Sequence, residues 1–448
     1  MTMKIIYQLL VLSLLFSGCS KLTDVLNVTP PNNLTPDNVA KNKEGAKNLL
    51  NGAYALLHAQ HYYMHTELIP STLGGTMRRA TVPDIQFQDN NLNPQIANVN
   101  SFWTAFYKMI NQTNWVVQLI GELPEGELSA TERDQMLGQA RALRAMATFD
   151  ALRYFGQFYN LNSAYGVIVR TDAIDFTTRH TKRSTVAETY TQILSDLDYA
   201  IANAPDFTKS TLFSKTAAKA LKARVLLFRG EYASAATLAD EVILENKRSL
   251  SPTFARVFAD GFTSTEMIFM RATDAVTYVA DRKKFTYTNN ATIVSPWLKT
   301  FMTGDPRVVA SFNATTNNII KVNNAAAFAP TYFIRLAEMY LIKAEGLTRS
   351  DAPLADAKIP LQTIMSRAWG APRVSTATTK EALLDEIHAE YIKELCFENG
   401  SDWFANIRFG KISAIKPTVT NVNQYILPVP ESETVGNNLF GKQNPGYE

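Results

Sequence analysis

The sequence predicts a mainly α fold: about four stacked helical pairs, with a loop-rich second layer containing a few short strands. Three observations predict it. Ser214 to Leu244 holds two strong helix formers parted by the single Gly230, placed where the first helix must stop in a left-handed turn. Ala220, Ala223, Ala235, Ala236 and Ala239 are small and let the two helices approach closely, while Tyr232 after the turn is suited to fill the gap between them. Helical periodicity then recurs on both sides of this pair and breaks only between 249 and 330. This is a tetratricopeptide-like grammar, and one such pair cannot bury its apolar face alone, so others must stack against it.

In chain order, residues 1–18 carry Lys4, an apolar run from Ile5 to Phe16, and then Ser17-Gly18 before Cys19. A run this short followed by small residues reads as a cleavable signal peptide and no membrane span. A cysteine directly after Gly18 is what bacterial lipoprotein processing needs, because its thiol receives diacylglycerol and becomes the new N-terminus; Cys19 is the expected lipidation site. Acyl chains contribute roughly 0.8 kcal/mol per buried CH₂, so several hold a protein firmly on a membrane. Residues 19–43, with Pro30, Pro31 and Pro36, read as an extended tether.

Residues 44–448 read as a single domain, with helical repeats mainly in 44–60, 101–248 and 331–409. Ala46, Leu49, Leu50, Ala53, Leu56 and Leu57 make one face of the first helix, and Phe102, Phe106, Met109, Thr113, Val116 and Ile120 step round the next. A long Ala-, Leu- and Arg-rich helix covers 130–155, and its partner covers 185–203 with Ser184 as N-cap. After the central pair, 249–330 alternates β-favouring runs (Met267-Ile268-Phe269, Tyr278-Val279, Phe285-Thr286-Tyr287) with turns and an Asn-rich stretch. Together with 61–100 it forms the irregular ligand-side layer. Helices return at 331–349, 354–367, 379–398 and 402–409, and a tail without helix, 410–448, closes the chain.

Composition narrows the function. With 46% apolar and 19% charged residues in 448, the chain is a folded one. Its 44 Lys plus Arg balance 41 Asp plus Glu, which argues against nucleic acid as a partner, since phosphate binding needs a concentrated basic face. The two cysteines, Cys19 in the leader and Cys396 in a helix, need separate explanations and form no expected disulfide. No Gly-x-Ser-x-Gly elbow, phosphate-binding loop, dinucleotide fingerprint or His-Glu-x2-His occurs, so no catalytic residue is assigned. His61 and His65 stand at the i,i+4 spacing of metal ligands, near His58 and Glu67, but read better as surface histidines at a helix end beside tyrosines; no metal and no cofactor is expected. Glu386, Glu390, Glu394 and Glu398 form a stripe along one helix, which reads as a solvated or arginine-paired face and not as a glycosidase pair, because nothing separates their environments.

Aromatics in the irregular layer are the candidates for ligand contact. A pyranose shows a patch of C–H groups on one face, which a flat ring matches, while amide, carboxylate and guanidinium groups read the hydroxyls. Tyr62, Tyr63, Tyr278, Tyr287 and Trp297 fall in segments without helical periodicity, with Arg78, Arg79, Asn289 and Asn290 as polar partners. Trp103, Trp115, Trp369 and Trp403 fall on helices and are assigned to the core.

Several blocks carry a family resemblance. They are Trp103-x3-Tyr107-x2-Ile110-x3-Asn114, Ala140-Arg141-Ala142-Leu143-Arg144-Ala145 with Arg153-Tyr154-Phe155-Gly156, and Ser184-Thr185-Val186-Ala187-Glu188-Thr189-Tyr190 leading to Asp196-Leu197. Gly304-Asp305-Pro306-Arg307, Arg335-Leu336-Ala337-Glu338-Met339-Tyr340-Leu341, and the tail Tyr425-Ile426-Leu427-Pro428-Val429-Pro430 with Gln443-Asn444-Pro445-Gly446-Tyr447 follow in order. With the lipoprotein leader, the chain resembles the SusD/RagB-type outer-membrane nutrient-binding lipoproteins of Bacteroidetes. It departs from that pattern after Glu394-Leu395-Cys396-Phe397-Glu398: Asp402 stands where a base is usual before Trp403, one residue is extra, and Ala405 replaces an Asp. A buried ion pair is therefore expected to be missing there.

The resemblance implies a non-catalytic lipoprotein anchored to the outer membrane at the cell surface. It implies an oligosaccharide ligand, handed to a SusC-like TonB-dependent transporter, with the repeats facing the transporter and the loop layer carrying the ligand. Oligopeptide uptake is the alternative within the family, and a protein-interaction scaffold with no small ligand is the alternative outside it.

Overall fold

A computed structural model describes residues 41–79, 85–288 and 292–448. The signal peptide, Cys19, most of the tether, and Asn289 and Asn290 lie outside the described residues.

The longer helices are α1 (Lys43–Ala55), α2 (His65–Leu73), α3 (Ala97–Gly121), α4 (Ala130–Phe155), α5 (Val186–Asn203), α6 (Lys215–Arg229) and α7 (Tyr232–Leu244). Past the inserted layer, which includes α8 (Arg282–Thr288), come α9 (Leu336–Arg349), α10 (Leu354–Trp369), α11 (Lys380–Leu395) and α12 (Ser401–Arg408). Local chemistry sets their ends. Ser129 and Thr185 each form a complete capping box, with Glu132 and Glu188, and Ser214 caps α6. The cap of α5 is thus Thr185 and not Ser184, because only Thr185 has a glutamate three residues on. Gly230 ends α6 at φ +87°, the left-handed turn its position calls for.

Packing runs α1 to α3, then through α4, α5, α6 and α7 in succession; α7 lies on α9, which packs on α10 and α11, and α11 on α12. The four expected pairs are α4/α5, α6/α7, α9/α10 and α11/α12. The insertion between α7 and α9 interrupts the sequence but not the stack. The crossing is close because both helices are small there: a Cβ on Gly346 would lie 2.6 Å from the Tyr232 carbonyl oxygen and 2.9 Å from the Ala236 Cβ. Tyr232 meets Arg349 of α9, whose guanidinium lies 5.4 Å from the ring centroid, so it joins successive pairs as well as its own.

Among the described residues, two antiparallel ribbons make the strands of the second layer. β1 (Met77–Arg79) pairs with β3 (Thr292–Val294), and β2 (Met267–Arg271) with β4 (Thr331–Arg335). The expected strand at 267–269 is present. Tyr278-Val279 and Phe285-Thr286-Tyr287 are helical instead, the first within Ala275–Val279 and the second within α8. Aspartates override the β propensity: Asp274 accepts from the Thr277 N–H at 2.7 Å, and Asp281 from that of Lys283 at 2.8 Å, starting helices at both places. Conversely, Thr331-Tyr332-Phe333-Ile334 pairs as strand β4, so α9 begins only at Leu336. The C-terminal tail, expected without helix, holds single turns at Ile412–Ile415 and Glu431–Gly436; Glu431 and Glu433 favour the latter at its positive end.

Buried charges tie the resemblance blocks together. Arg144 of α4 donates to both Asp196 oxygens, with Nη2–Oδ1 at 2.6 Å, and Arg224 holds Glu338 at 2.6 Å. Three of the four stripe glutamates are arginine-paired: Glu390, Glu394 and Glu398 are buried among Arg307, Arg335 and Arg367, while Glu386 accepts instead from the Thr376 N–H at 3.1 Å. Arg307 is also gripped by Asp305, 2.9 Å away, which explains the Gly-Asp-Pro-Arg block. At the departure, Asp402 is fully buried and bonded to the Thr76 hydroxyl and, at 2.9 Å, the Trp403 N–H. Neutral donors replace an ion pair, and burial raises its pKa. Cys396 follows the end of α11; burial pushes its thiol up to about 12, so it is an inert core residue. Trp103 and Trp403 are core, whereas Trp369 is 40% exposed beneath Arg373, having reached the last turn of α10 where the helix leaves its neighbours.

Candidate ligand-binding cleft

One face of α2 forms a wall. His65, Leu68, Ile69 and Thr72 recur at i, i+3, i+4 and i+7, and all four line a cleft of about 270 Å³. Arg79 of β1, Phe87 of the single turn Ile85–Gln88, Asn98 in the first turn of α3, and Gln60 and Met64 continue the lining. Arg282 and Thr286, one turn apart on α8, complete it.

The other face of α8 fixes that helix in place. Lys283, fully buried, donates to Glu67 Oε1 at 2.7 Å and to the Pro330 carbonyl at 2.6 Å. The Tyr287 hydroxyl reaches Glu67 Oε2 at 3.5 Å. Just before the helix, Asp281 accepts from the Tyr63 hydroxyl at 2.8 Å and pairs with Arg271 at 2.6 Å. Arg271 in turn lies 3.7 Å from the Tyr63 ring centroid. Burial pushes the Glu67 carboxyl up to about 7, against the pull of Lys283, and pushes Lys283 down, against the pull of Glu67. The pair is held by geometry in a place that disfavours charge.

The sequence candidates divide accordingly. Arg79 lines the cleft, and its Nη1 donates to Thr292 on the paired strand at 3.1 Å. Arg78, its neighbour on β1, is exposed. Tyr62, Tyr63 and Tyr287 are buried and none of them lines the cleft. Tyr62 packs edge-on to Phe106 and bonds Asp150 at 3.1 Å, whereas Tyr63 and Tyr287 support α8 from below. Tyr278 is half-buried on the turn Ala275–Val279 near Phe328, and Trp297 stacks on Phe301 within the turn Pro296–Phe301; neither lines the cleft. All five aromatics therefore lie on short helical turns, too brief for periodicity to show. Cleft-lining residues that the sequence did not single out are Gln60, Thr72, Asn98, Arg282 and Thr286. The basic run Arg282-Lys283-Lys284 was the signal for one of them; Gln60 lies on a single turn without periodicity, and Thr72 and Asn98 are polar residues of regular helices that nothing in the sequence marks out.

His61 and His65 meet with Nδ1 and Nε2 3.5 Å apart, and among the described residues no cluster of three or more His, Cys, Asp or Glu is placed to hold a metal ion. Burial, with His61 and Arg79 nearby, lowers the His65 pKa to about 3. The folded value lies below the unfolded one of about 6.5, so the fold requires neutral imidazole. Its contribution is complete above about pH 6.5 and is lost as pH falls from there toward 3. Between about pH 7.5 and 5 the protein should lose about 2 kcal/mol of stability through this group, at roughly 1.4 kcal/mol per unit. Urea denaturation of the protein and of His65→Gln at both pH values checks this; equal losses in the two would refute it.

A stacked-helix platform with a ligand-sized cleft in its inserted layer defines the class: a helical-repeat binding protein. Among the described residues no helix is long and apolar enough to cross a membrane. A family model described as starch-binding associating with outer membrane matches residues 24–227, and one described as the SusD family matches residues 274–414. The chain belongs to the SusD/RagB family. It is 24% identical to SusD-like protein P2 of Formosa agariphila over 99% of both chains. To SusD-like protein P38 of the same organism it is 29% identical, over 54% of this chain and 46% of that protein, so this match spans about half of the relative's length. A solved laminarin-binding SusD-like protein superposes with a TM-score of 0.75 at 22% identity, over 91% of this chain and 100% of that one, a likeness of fold.

Proposed function

We propose that this protein captures an oligosaccharide in the α2–α8 cleft at the cell surface and passes it, chemically unchanged, to a SusC-like TonB-dependent transporter in the outer membrane. The observation that carries this reading is the lining itself. Met64, Leu68, Ile69 and Phe87 supply apolar surface, and Gln60, Asn98, Arg79 and Thr286 supply hydrogen-bonding heads. A sugar ring has both kinds of surface. The family's association with the outer membrane and the laminarin-binding relative favour the same ligand class. In this reading residues 44–448 act as one domain, with 61–100 and 249–330 as its ligand side.

Calorimetric titration of the mature protein against a glycan panel tests it. Micromolar binding is expected, unaffected by chelator and without release of shorter products. Asn98→Ala should weaken binding about tenfold, the 1.4 kcal/mol of one good hydrogen bond. Binding of a peptide pool and of no glycan would replace the ligand class, and turnover of any glycan would end the non-catalytic reading. Cys19→Ala should leave the fold intact and move the protein from the membrane fraction to the soluble one. A variant that still sediments with membranes would place the anchor elsewhere.

A further inference from the structure

We propose that the cleft selects an acidic sugar, one bearing a carboxylate or a sulfate ester. This rests on the oligosaccharide reading above and narrows its ligand class. Two guanidinium groups, Arg79 and Arg282, line the cleft, and among the described lining residues there is no Asp or Glu. Arg282 is exposed and forms no ion pair among the described residues. The acids of the adjoining segments are engaged. Asp281, the preceding residue, takes up Arg271, the Tyr63 hydroxyl and the Lys283 N–H, and Glu67 beneath the helix takes up Lys283. Asp274 is occupied as the cap of the turn Ala275–Val279.

The placement of Arg282 favours recognition over idle solvation. It shares a face of α8 with Thr286, and the adjacent face is anchored to Glu67 through Lys283 and Tyr287, which holds in place the backbone that presents the guanidinium. A guanidinium offers paired parallel donors that match a carboxylate or sulfate, and a fixed base reduces the ordering cost of binding. His61 and His65 are both shifted toward the neutral form, by burial first and then by the cations Lys108 and Arg79 among others, so the charge at this place is that of the guanidinium groups.

The test titrates the mature protein with oligogalacturonides, alginate oligosaccharides, a sulfated galactan oligosaccharide, the carboxyl-reduced oligogalacturonide, and a neutral laminarin oligosaccharide. At least one acidic glycan should bind tenfold or more tightly than its uncharged counterpart. Arg282→Gln, a change at an exposed site, should abolish that difference while circular dichroism and melting stay unchanged. Raising salt from about 0.05 to 0.5 M should weaken the acidic ligand alone. A uronate preference assigns a carboxylate and a galactan preference a sulfate ester; either supports the inference. Equal or tighter binding of the neutral glycan overturns it and leaves the oligosaccharide reading standing. An acidic preference that survives Arg282→Gln overturns it as well. Failure of every glycan to bind removes both.

Discussion

Glu394→Ala lowers the stability of the protein by about 3–5 kcal/mol. The Glu394 side chain is fully buried and meets three guanidinium groups: Arg307 and Arg335 at 3.2 Å each, and Arg367. Burial alone would raise its carboxyl, yet Arg367, Arg335 and Arg307 together bring it below its ordinary value. Removing it leaves Arg335 with Glu266 and Glu398, Arg307 with Asp305 and Glu390, and Arg367 with Glu266 alone, so three guanidinium groups each lose a charge-assisted hydrogen bond in a dry site. The cluster joins α11, α10, β2, β4 and the Asp305–Arg307 turn, so the loss unlocks the second layer from the last helical pairs. Urea denaturation measures it; a change under about 1 kcal/mol would show that the network contributes little to stability.

Lys283→Ala costs a similar amount, about 3–5 kcal/mol, and weakens ligand binding with it. Lys283 Nζ makes three hydrogen bonds in a site closed to water, to Glu67, Pro330 and the Thr331 hydroxyl. Without them Glu67 is left buried against Tyr287, and α8 loses the contact that holds Arg282 and Thr286 against the cleft. The double variant Glu67→Met/Lys283→Met separates the two effects. A buried pair replaced by apolar side chains of similar volume is often neutral or stabilising, so the double variant should regain most of the lost stability. It should also regain the binding, if α8 only needs to be fixed in place and not charged beneath. A double variant as unstable as the single one would mean that the hydrogen bonds to Pro330 and Thr331 carry the effect.

How much was legible follows from the range of each signal. The α6–Gly230–α7 hairpin is written locally, in helix formers, small residues and one glycine, and it stands where the sequence puts it. The arginine-paired glutamate stripe was legible as a class, but its partners were not: Arg307, Arg335 and Arg367 come from three separate segments. The aromatic candidates show where reading by residue type fails. Tyr62, Tyr63 and Tyr287 sit in segments without visible periodicity and looked like loop residues. Their hydroxyls had buried acids to meet, so the fold took them inside.

By itself the sequence determined the helical pairs, their order, the interruption between 249 and 330, and the family, because periodicity, caps and motif order are properties of neighbouring residues. Only the tertiary structure decided which polar side chains line the cleft. His65 and Arg282 become neighbours across a cleft because Lys283 finds Glu67 and Asp281 finds Arg271, and no spacing along the chain encodes those meetings.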